Sequence, residues 1–198
     1  MRGYFISNGH LHLLVKNNNI SAWGNFPRII GKISKASTRE QLIKTLNEND
    51  TIIPFGNGRS YGDSALNDHM VQYDNPEIPI EFDQELGIVQ VSAATQIGDL
   101  IDYILPFGWF PPVVPGTKFV TIGGAIAADI HGKNHHVYGC FSQHVISFDL
   151  MLPNGNIVQC SHQENSDLFK ATCGGMGLTG VILNATIKMI QVQSRFIE

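Results

Sequence analysis

The run PGTKFVTIGGAIAADIHGKNHH, residues Pro115 to His136, is the most informative part of the sequence. A glycine turn leads to the pair Gly123 and Gly124, then to alanines, and then to three histidines around Lys133. Small residues at this density let backbone lie against a flat or extended ligand, because a Cβ would collide there. Close helix packing also explains the glycine pair. It does not explain the cation and imidazoles that follow, so the run predicts a binding site.

A second glycine-rich run, PFGNGRSYGDSALN, spans Pro54 to Asn67. A dinucleotide-binding turn needs a third glycine where Tyr61 stands and a helix directly afterwards, and a Walker loop needs a Gly-Lys-Ser/Thr that is absent here. The remaining functional interpretation is a loop whose successive backbone N–H groups, with Arg59 and Ser60, bind an anion. The structural alternative is a plain tight turn.

The first part of the chain alternates helix and strand patterns. STREQLIKTLNEN predicts a short helix with Ser37 and Glu40 at capping-box spacing, and TIIPF predicts a strand after it. VQVSAA predicts another strand. TQIGDLIDYILPFG predicts a helix that Pro106 and Gly108 end.

The second part begins after a break near residues 111–116. HVISFDLMLPNGNIVQC predicts a β-hairpin, SDLFKATCGG a Ser-capped helix, and GVILNATIKMI a strand with one buried face. That buried face is expected to contain Val181, Leu183, Ala185, Ile187 and Met189. The predicted fold class is therefore α+β, with a first lobe over residues 1–112 and a second over 113–198.

Composition restricts the classes of partner and location. The formal net charge of -4 and the lack of a Lys/Arg cluster argue against nucleic acid. No apolar run approaches the roughly 20 residues of a transmembrane helix, and the N-terminus lacks the apolar core of a signal peptide, so a cytoplasmic location is expected. The three cysteines, Cys140, Cys160 and Cys173, suggest neither a disulfide framework nor a zinc ribbon.

Two further classes of function stay open from the residues alone. His131, His135 and His136, with His144, form a possible zinc set, although the Glu of H-E-x-x-H is absent and Gly132 weakens the helix. Our expectation is that no metal is bound. The other class is a non-catalytic module that binds a nucleotide or a partner surface.

The runs GNGRSYGD, PFGWFPPVVPGTKFVTIGGAIAADIHGKNHH, NSDLF and GGMGLTGVI occur in this order between Trp23 and Met189. Together they resemble the PCMH-type FAD-binding domain of the vanillyl-alcohol-oxidase flavoprotein family, and within it the branch of decaprenylphosphoryl-ribose oxidases. Aldonolactone and alditol oxidases are more distant members. The resemblance implies two small α+β lobes with FAD between them.

The resemblance also implies which residues contact FAD. The diphosphate would lie on the loop 54–64, and the ribityl chain and ring system would follow the run after Pro115. The implied contacts are Gly56, Asn57, Gly58, Arg59, Ser60, Tyr61, Gly62, Asp63, Gly116, Thr117, Thr121, Ile122, Gly123, Gly124, Ala128, Asp129, Ile130, His131, Gly180 and Ile182. Some relatives bond a histidine of the first loop to the flavin. Ser60 and Tyr61 stand at those positions, so non-covalent FAD is expected.

By the same resemblance, His131 and Lys133 lie at the flavin ring and act on a sugar hydroxyl as hydride leaves its carbon. The implied activity is FAD-dependent oxidation of a sugar alcohol carbon, as in decaprenylphosphoryl-ribose 2'-oxidation, and the alternative is an aldonolactone or alditol oxidase. The implied substrate is a small sugar or a polyprenyl-phosphate sugar, which would bring the protein to a membrane surface. Family members continue into a C-terminal cap domain, which is expected to be missing after Glu198, leaving this chain nearly inactive alone.

Overall fold

The structure is a computed structural model that describes residues 4–7, 10–13, 19–75 and 78–193. The strands are β1 (Tyr4–Ser7), β2 (His10–Leu13), β3 (Asn19–Ile20), β4 (Ile29–Ile30), β5 (Lys32–Ala36), β6 (Ile53–Pro54), β7 (His69–Tyr73), β8 (Glu81–Asp83), β9 (Ile88–Ser92), β10 (Trp109–Phe110), β11 (Val145–Met151), β12 (Ile157–Ser161), β13 (Val181–Lys188) and β14 (Ile190–Gln191). The helices are α1 (Arg39–Asn47), α2 (Ile97–Ile104), α3 (Ile122–Ala127), α4 (His135–Tyr138) and α5 (Ser166–Thr172), with 3₁₀ turns at Leu105–Phe107 and Phe141–His144.

The first sheet is parallel, in the order β5-β7-β6, and α1 packs beside it. Helix α1 begins one residue later than the predicted box, because Thr38 is its N-cap. The hydroxyl of Thr38 accepts the N–H of Gln41 at 3.3 Å, and the Gln41 side chain accepts the N–H of Ser37 at 2.8 Å. The pair that fixes this helix start is therefore Thr38 and Gln41 rather than Ser37 and Glu40.

The second sheet is antiparallel, in the order β12-β11-β13-β9-β8. The predicted hairpin is confirmed as β11 and β12. The predicted apolar face of the last strand is divided between two clusters, because β13 shifts register beside Asp149 and Leu150. Val181 and Leu183 pack with α1, whereas Ala185, Ile187 and Met189 join the main core.

Helices α2, α3 and α5 supply the rest of the main core. Leu100 and Ile104 of α2 are fully buried, and Gly108, at φ 79, follows the 3₁₀ turn that ends this helical segment, as predicted. The Ser cap predicted for α5 is wrong. Ser166 is the first helical residue, and Asn165, at φ 49, precedes it without a side-chain capping bond.

The two sheets divide the chain earlier than the predicted break near residues 111–116. Strands β8 and β9, expected in the first lobe, pair with the sheet of β11 to β13. The first sheet therefore ends at Tyr73 and the second begins at Glu81. Local patterns predict strands, but pairing between distant strands depends on burial across the whole chain.

Candidate functional site

Two glycine-rich loops that the sequence places far apart are in direct contact. The side-chain amide of Asn57 donates to the carbonyl oxygen of Phe119 at 3.1 Å. A Cβ added to Gly56 would lie 2.8 Å from the hydroxyl oxygen of Thr121. The loop after β6 and the loop before α3 therefore form one continuous surface.

The loop after β6 presents backbone donors that have no protein acceptor. Phe55 N–H bonds to Val71 at 2.8 Å and Leu66 N–H bonds to Asp63 at 2.8 Å. Between them, across the described parts 19–75 and 78–193, the N–H groups of residues 56–65 donate to no protein group. Gly58, at φ 60, turns the chain there. Successive free N–H groups in a tight turn are the donor set that a diphosphate requires.

Two glycines lie open on this surface. Among the described glycines, only at Gly62 and Gly116 would an added Cβ meet nothing within 4 Å. One lies in each loop. Bare, exposed backbone in both loops fits the approach of an extended ligand, as the glycine content predicted.

Two cationic side chains, Arg59 and Lys118, lie close to the Phe119 ring, where the two loops meet. The guanidinium carbon of Arg59 lies 5.6 Å from the centroid of the Phe119 ring, and the ammonium of Lys118 lies 5.8 Å from the same centroid. Both charges favour an anion on the adjacent loop. Sequence reasoning named Arg59 but missed Lys118 and Phe119. Their signal was the Lys-Phe pair that directly follows Gly116 and Thr117.

The start of α3 is hydrogen-bonded to the loop after β9. Thr121 caps α3 by accepting the N–H of Gly124 at 3.1 Å. The N–H groups of Ile122 and Gly123 donate to the carbonyls of Thr95 and Ala93, at 2.9 and 2.8 Å. A Cβ on Gly123 would lie 3.1 Å from the Cβ of Ala93, and Ile122 is fully buried. Close packing therefore explains Ile122 and Gly123.

The run from Asp129 to Asn134 forms a loop beside α3. The Asp129 carboxylate accepts the N–H of Ser142 at 2.9 Å, and the Asn134 amide donates to the carbonyl of Pro112 at 2.9 Å. Between these two residues, His131 and Lys133 are exposed. The ring centroids of His131 and His135 lie 5.5 Å apart in an edge-on contact.

The turn after α5 joins the end of α3 to the start of the first loop. Gly174 and Met176 donate to the carbonyls of Ile126 and Ala127, at 3.0 and 2.8 Å. A Cβ on Gly177 would lie 3.4 Å from Pro54. The sequence did not assign a site role to residues 174–177. These residues therefore connect α5, the end of α3 and the start of the loop after β6.

Gly180 and Ile182 contact strand β11 and the main core. An added Cβ on Gly180 would collide with the carbonyl oxygen of Met151. Ile182 pairs with Leu150 in the sheet and packs against the main core. The contacts described for these two residues are made with neighbouring β11 and the core.

The cysteine thiols near Asp129 are held in their neutral form. Burial raises the pKa of Cys173 to about 12, and the charge of Asp129 and the neighbouring Cys160 add to it. Burial raises the pKa of Cys140 as well, followed by the charge of Asp129 and a hydrogen bond to it. Within the described residues, no group of three His, Cys, Asp or Glu side chains is arranged to hold a metal ion.

Comparison with known proteins identifies the family of the chain. The model of a family described as the FAD binding domain matches residues 32–161. The chain belongs to this FAD-binding family. The predicted PCMH-type α+β fold and the FAD cofactor are thereby confirmed.

Several enzymes share this domain. The chain is 37% identical over 185 residues to decaprenylphosphoryl-beta-D-ribose oxidase of Mycolicibacterium smegmatis, covering 89% of this chain and 40% of the relative. It is 32% identical over 111 residues to human Delta(24)-sterol reductase (56% and 22%) and 27% identical over 158 residues to mouse L-gulonolactone oxidase (79% and 36%). The chain spans less than half the length of each of these relatives. In the part of the chain that the structure describes, no helix has the length and apolar content to cross a membrane.

The residues of the surface fit FAD. A diphosphate matches the free N–H groups of residues 56–65 and the cations Arg59 and Lys118. An extended ribityl chain matches the open backbone at Gly62 and Gly116.

Proposed function

We propose that this chain is the FAD-binding part of an oxidoreductase that oxidises an alcohol carbon of a sugar or sugar derivative by hydride transfer to flavin. The observation that carries the proposal is the contact between the donor-rich loop 56–65 and the loop 116–121, joined by Asn57. A diphosphate on the first loop continues directly onto the second, which leads to His131 and Lys133.

The proposed FAD contacts follow the two loops. Backbone N–H groups of residues 56–63 bind the diphosphate, with Arg59 and Lys118 supplying charge. Residues 116, 117, 121 and 124 line the ribityl chain and ring system. Residues 128, 130 and 131 continue along the ring, with Asp129 joining them through its backbone. Ile122, Gly123, Gly180 and Ile182 shape the surface from behind, because their described contacts are with the protein.

The flavin, when bound, supplies the hydride acceptor. The side chains of this chain supply the proton transfer and charge. The imidazole of His131 accepts the hydroxyl proton of the substrate as the C–H bond breaks, because imidazole is the side chain that most often serves as a general base. The ammonium of Lys133 stabilises the negative charge that develops on that oxygen.

The proposed substrate is a polyprenyl-phosphate sugar, which the name of the mycobacterial relative supports. An aldonolactone is the second candidate, supported by the name of the mouse relative. We also propose that the protein is cytoplasmic and meets a lipid-linked sugar at the membrane surface. A cap domain is a further part of the proposal, supported by the small share of both relatives that this chain covers.

We further propose that FAD is bound non-covalently. Ser60 and Tyr61 occupy the positions at which a histidine would bond the flavin, and neither is a nucleophilic imidazole. The Tyr61 side chain is 85% exposed at the edge of the first loop, where its ring contacts that of Trp23 edge-on.

Anaerobic mixing of the FAD-loaded protein with each substrate class tests the activity. A polyprenyl-phosphate sugar should bleach the flavin absorbance when the chain is supplied with its C-terminal cap, and turnover by the chain alone should be negligible. His131→Gln should slow bleaching by roughly 100-fold, the usual contribution of a general base. His162→Gln is the control, since His162 packs against Phe169 away from the loops. Bleaching by a gulonolactone but by no phosphorylated sugar would replace the first candidate with the second.

A further inference from the structure

We propose that Asp129 and Asn134 are positioning residues, which anchor the two ends of the loop 129–134 and so fix His131 and Lys133 against the flavin. This inference rests on the proposed function for the roles of His131 and Lys133. The anchors themselves are contacts within the chain.

Asp129 has a backbone conformation that its side chain must stabilise. Its φ of 41 lies in the left-handed region, which costs a non-glycine residue free energy unless local bonds compensate. Its carboxylate supplies such a bond, because one oxygen accepts the N–H of Ser142 at 2.9 Å.

The partner of Asp129 is itself fixed. Ser142 lies in the 3₁₀ turn Phe141–His144, and the Phe141 side chain is 1% exposed in the main core. The N–H of Phe141 donates to the carbonyl of Ile130 at 2.9 Å, and His131 forms a β-bridge with Cys140. The N-terminal end of the loop is therefore bound to a segment that the core holds in place.

Asn134 anchors the other end. It occupies the N-cap position of α4, but its side chain makes no capping bond and donates instead to the carbonyl of Pro112 at 2.9 Å. Pro112 is buried. The loop lies close to this segment, because a Cβ on Gly132 would be 3.0 Å from the carbonyl oxygen of Val114.

The side chains between the anchors are free. Those of His131 and Lys133 are exposed and form no hydrogen bond or ion pair with any described residue. Functional groups with free polar atoms on a backbone fixed at both ends have the arrangement that a preorganised site requires. Asp129, whose carboxylate accepts the N–H of Ser142, acts through this backbone rather than as a cofactor ligand.

The test compares Asp129→Ala, Asp129→Asn, Asn134→Ala and Asn134→Asp in the full chain, with and without FAD. Asp129→Asn retains the acceptor for Ser142, whereas Asn134→Asp loses the donor to Pro112. Asp167→Asn is the control, because Asp167 is exposed on α5. The readouts are amide hydrogen exchange of residues 130–134, the NMR chemical shifts of the His131 ring at one fixed pH, and FAD affinity.

We expect exchange in this loop to rise about tenfold in both Ala variants and in Asn134→Asp, as loss of one hydrogen bond predicts. In the same variants the NMR shifts of the His131 ring should move towards those of an unstructured peptide. Asp129→Asn should stay close to wild type. FAD affinity should fall by no more than roughly threefold, since the anchors do not touch the cofactor. If an Ala variant fails to fold, Asn134→Asp and Asp129→Asn still give the comparison.

Unchanged exchange and unchanged His131 ring shifts in Asn134→Asp and both Ala variants would overturn the proposal. So would loss of FAD binding with an unchanged loop, because that result would make these residues direct ligands. If the wild type binds no FAD, the proposed function fails, while hydrogen exchange and the His131 ring shifts measured without FAD still decide whether the anchors exist.

Discussion

Asn57 donates its side-chain amide to the carbonyl of Phe119 at 3.1 Å, across a sequence separation of 62 residues. This bond connects the loop of free N–H groups to the loop that precedes α3. One ligand can therefore contact both.

Asn57→Ala removes this connection. We expect FAD affinity to fall about tenfold, because the two loops must then be ordered by the ligand itself, and stability to fall by about 1 kcal/mol. Isothermal titration and thermal unfolding measure the two effects. Asn47→Ala, at the exposed end of α1, should change neither.

Gly62→Ala and Gly116→Ala test whether the open backbone faces the cofactor. Neither added Cβ meets protein within 4 Å and neither glycine has a positive φ, so the free protein should keep its stability within about 0.5 kcal/mol. FAD affinity should fall at least about tenfold, because the Cβ would occupy ligand space. If both variants bind FAD with the affinity of the wild type, these glycines do not face the cofactor.

Gly56→Ala provides the contrast. Its Cβ would lie 2.8 Å from the Thr121 hydroxyl oxygen, so the free protein should lose stability by roughly 1–3 kcal/mol. In denaturant unfolding without FAD, the midpoint should therefore be lower for Gly56→Ala than for Gly62→Ala or Gly116→Ala. An unaltered midpoint would show that the loops do not meet as described.

Thr38→Ala separates stability from function. Loss of the α1 cap should cost about 1 kcal/mol and lower the Tm by roughly 2–4 °C, with FAD affinity unchanged. Thr51→Ala, at an exposed position outside α1, is the matched control. A fall in FAD affinity for Thr38→Ala alone would place α1 within the site.

The raised cysteine pKa values predict a pH dependence. Below the unfolded thiol pKa of about 8.5, both states keep the proton and stability is unaffected. Above it, the unfolded chain releases the Cys173 proton while the folded chain holds it up to about pH 12, so stability falls as pH rises. Unfolding curves between pH 8 and about 11 should show a steeper loss for wild type than for Cys173→Ser. Iodoacetamide should label Cys140 and Cys173 slowly at about pH 8.

Much of the local structure is predictable from the sequence. The apolar spacing of α2 and the turn at Gly155 in the β11–β12 hairpin are local signals, and both predictions are confirmed. The loops 56–63 and 116–124 are also visible as glycine runs. Their contact through Asn57 and Phe119 is not, because it depends on how two separate sheets meet.

The parts that sequence reasoning missed depend on long-range packing. Strand β9 pairs with β13 almost a hundred residues later, as Val91 beside Ala185 shows, and no local pattern specifies that partner. Lys118 and Asn134 were passed over for a similar reason. Their roles depend on Phe119 and on the Pro112 carbonyl, which only the folded chain brings near them.

The visible spectrum of the purified protein with FAD, repeated on the supernatant and pellet after acid precipitation, tests the central claim most directly. We expect a flavin spectrum on the protein that passes entirely into the supernatant. Colour retained in the pellet would contradict the non-covalent assignment at Ser60 and Tyr61. A protein that binds ADP but takes up no flavin would contradict the FAD site itself and favour a nucleotide-binding module.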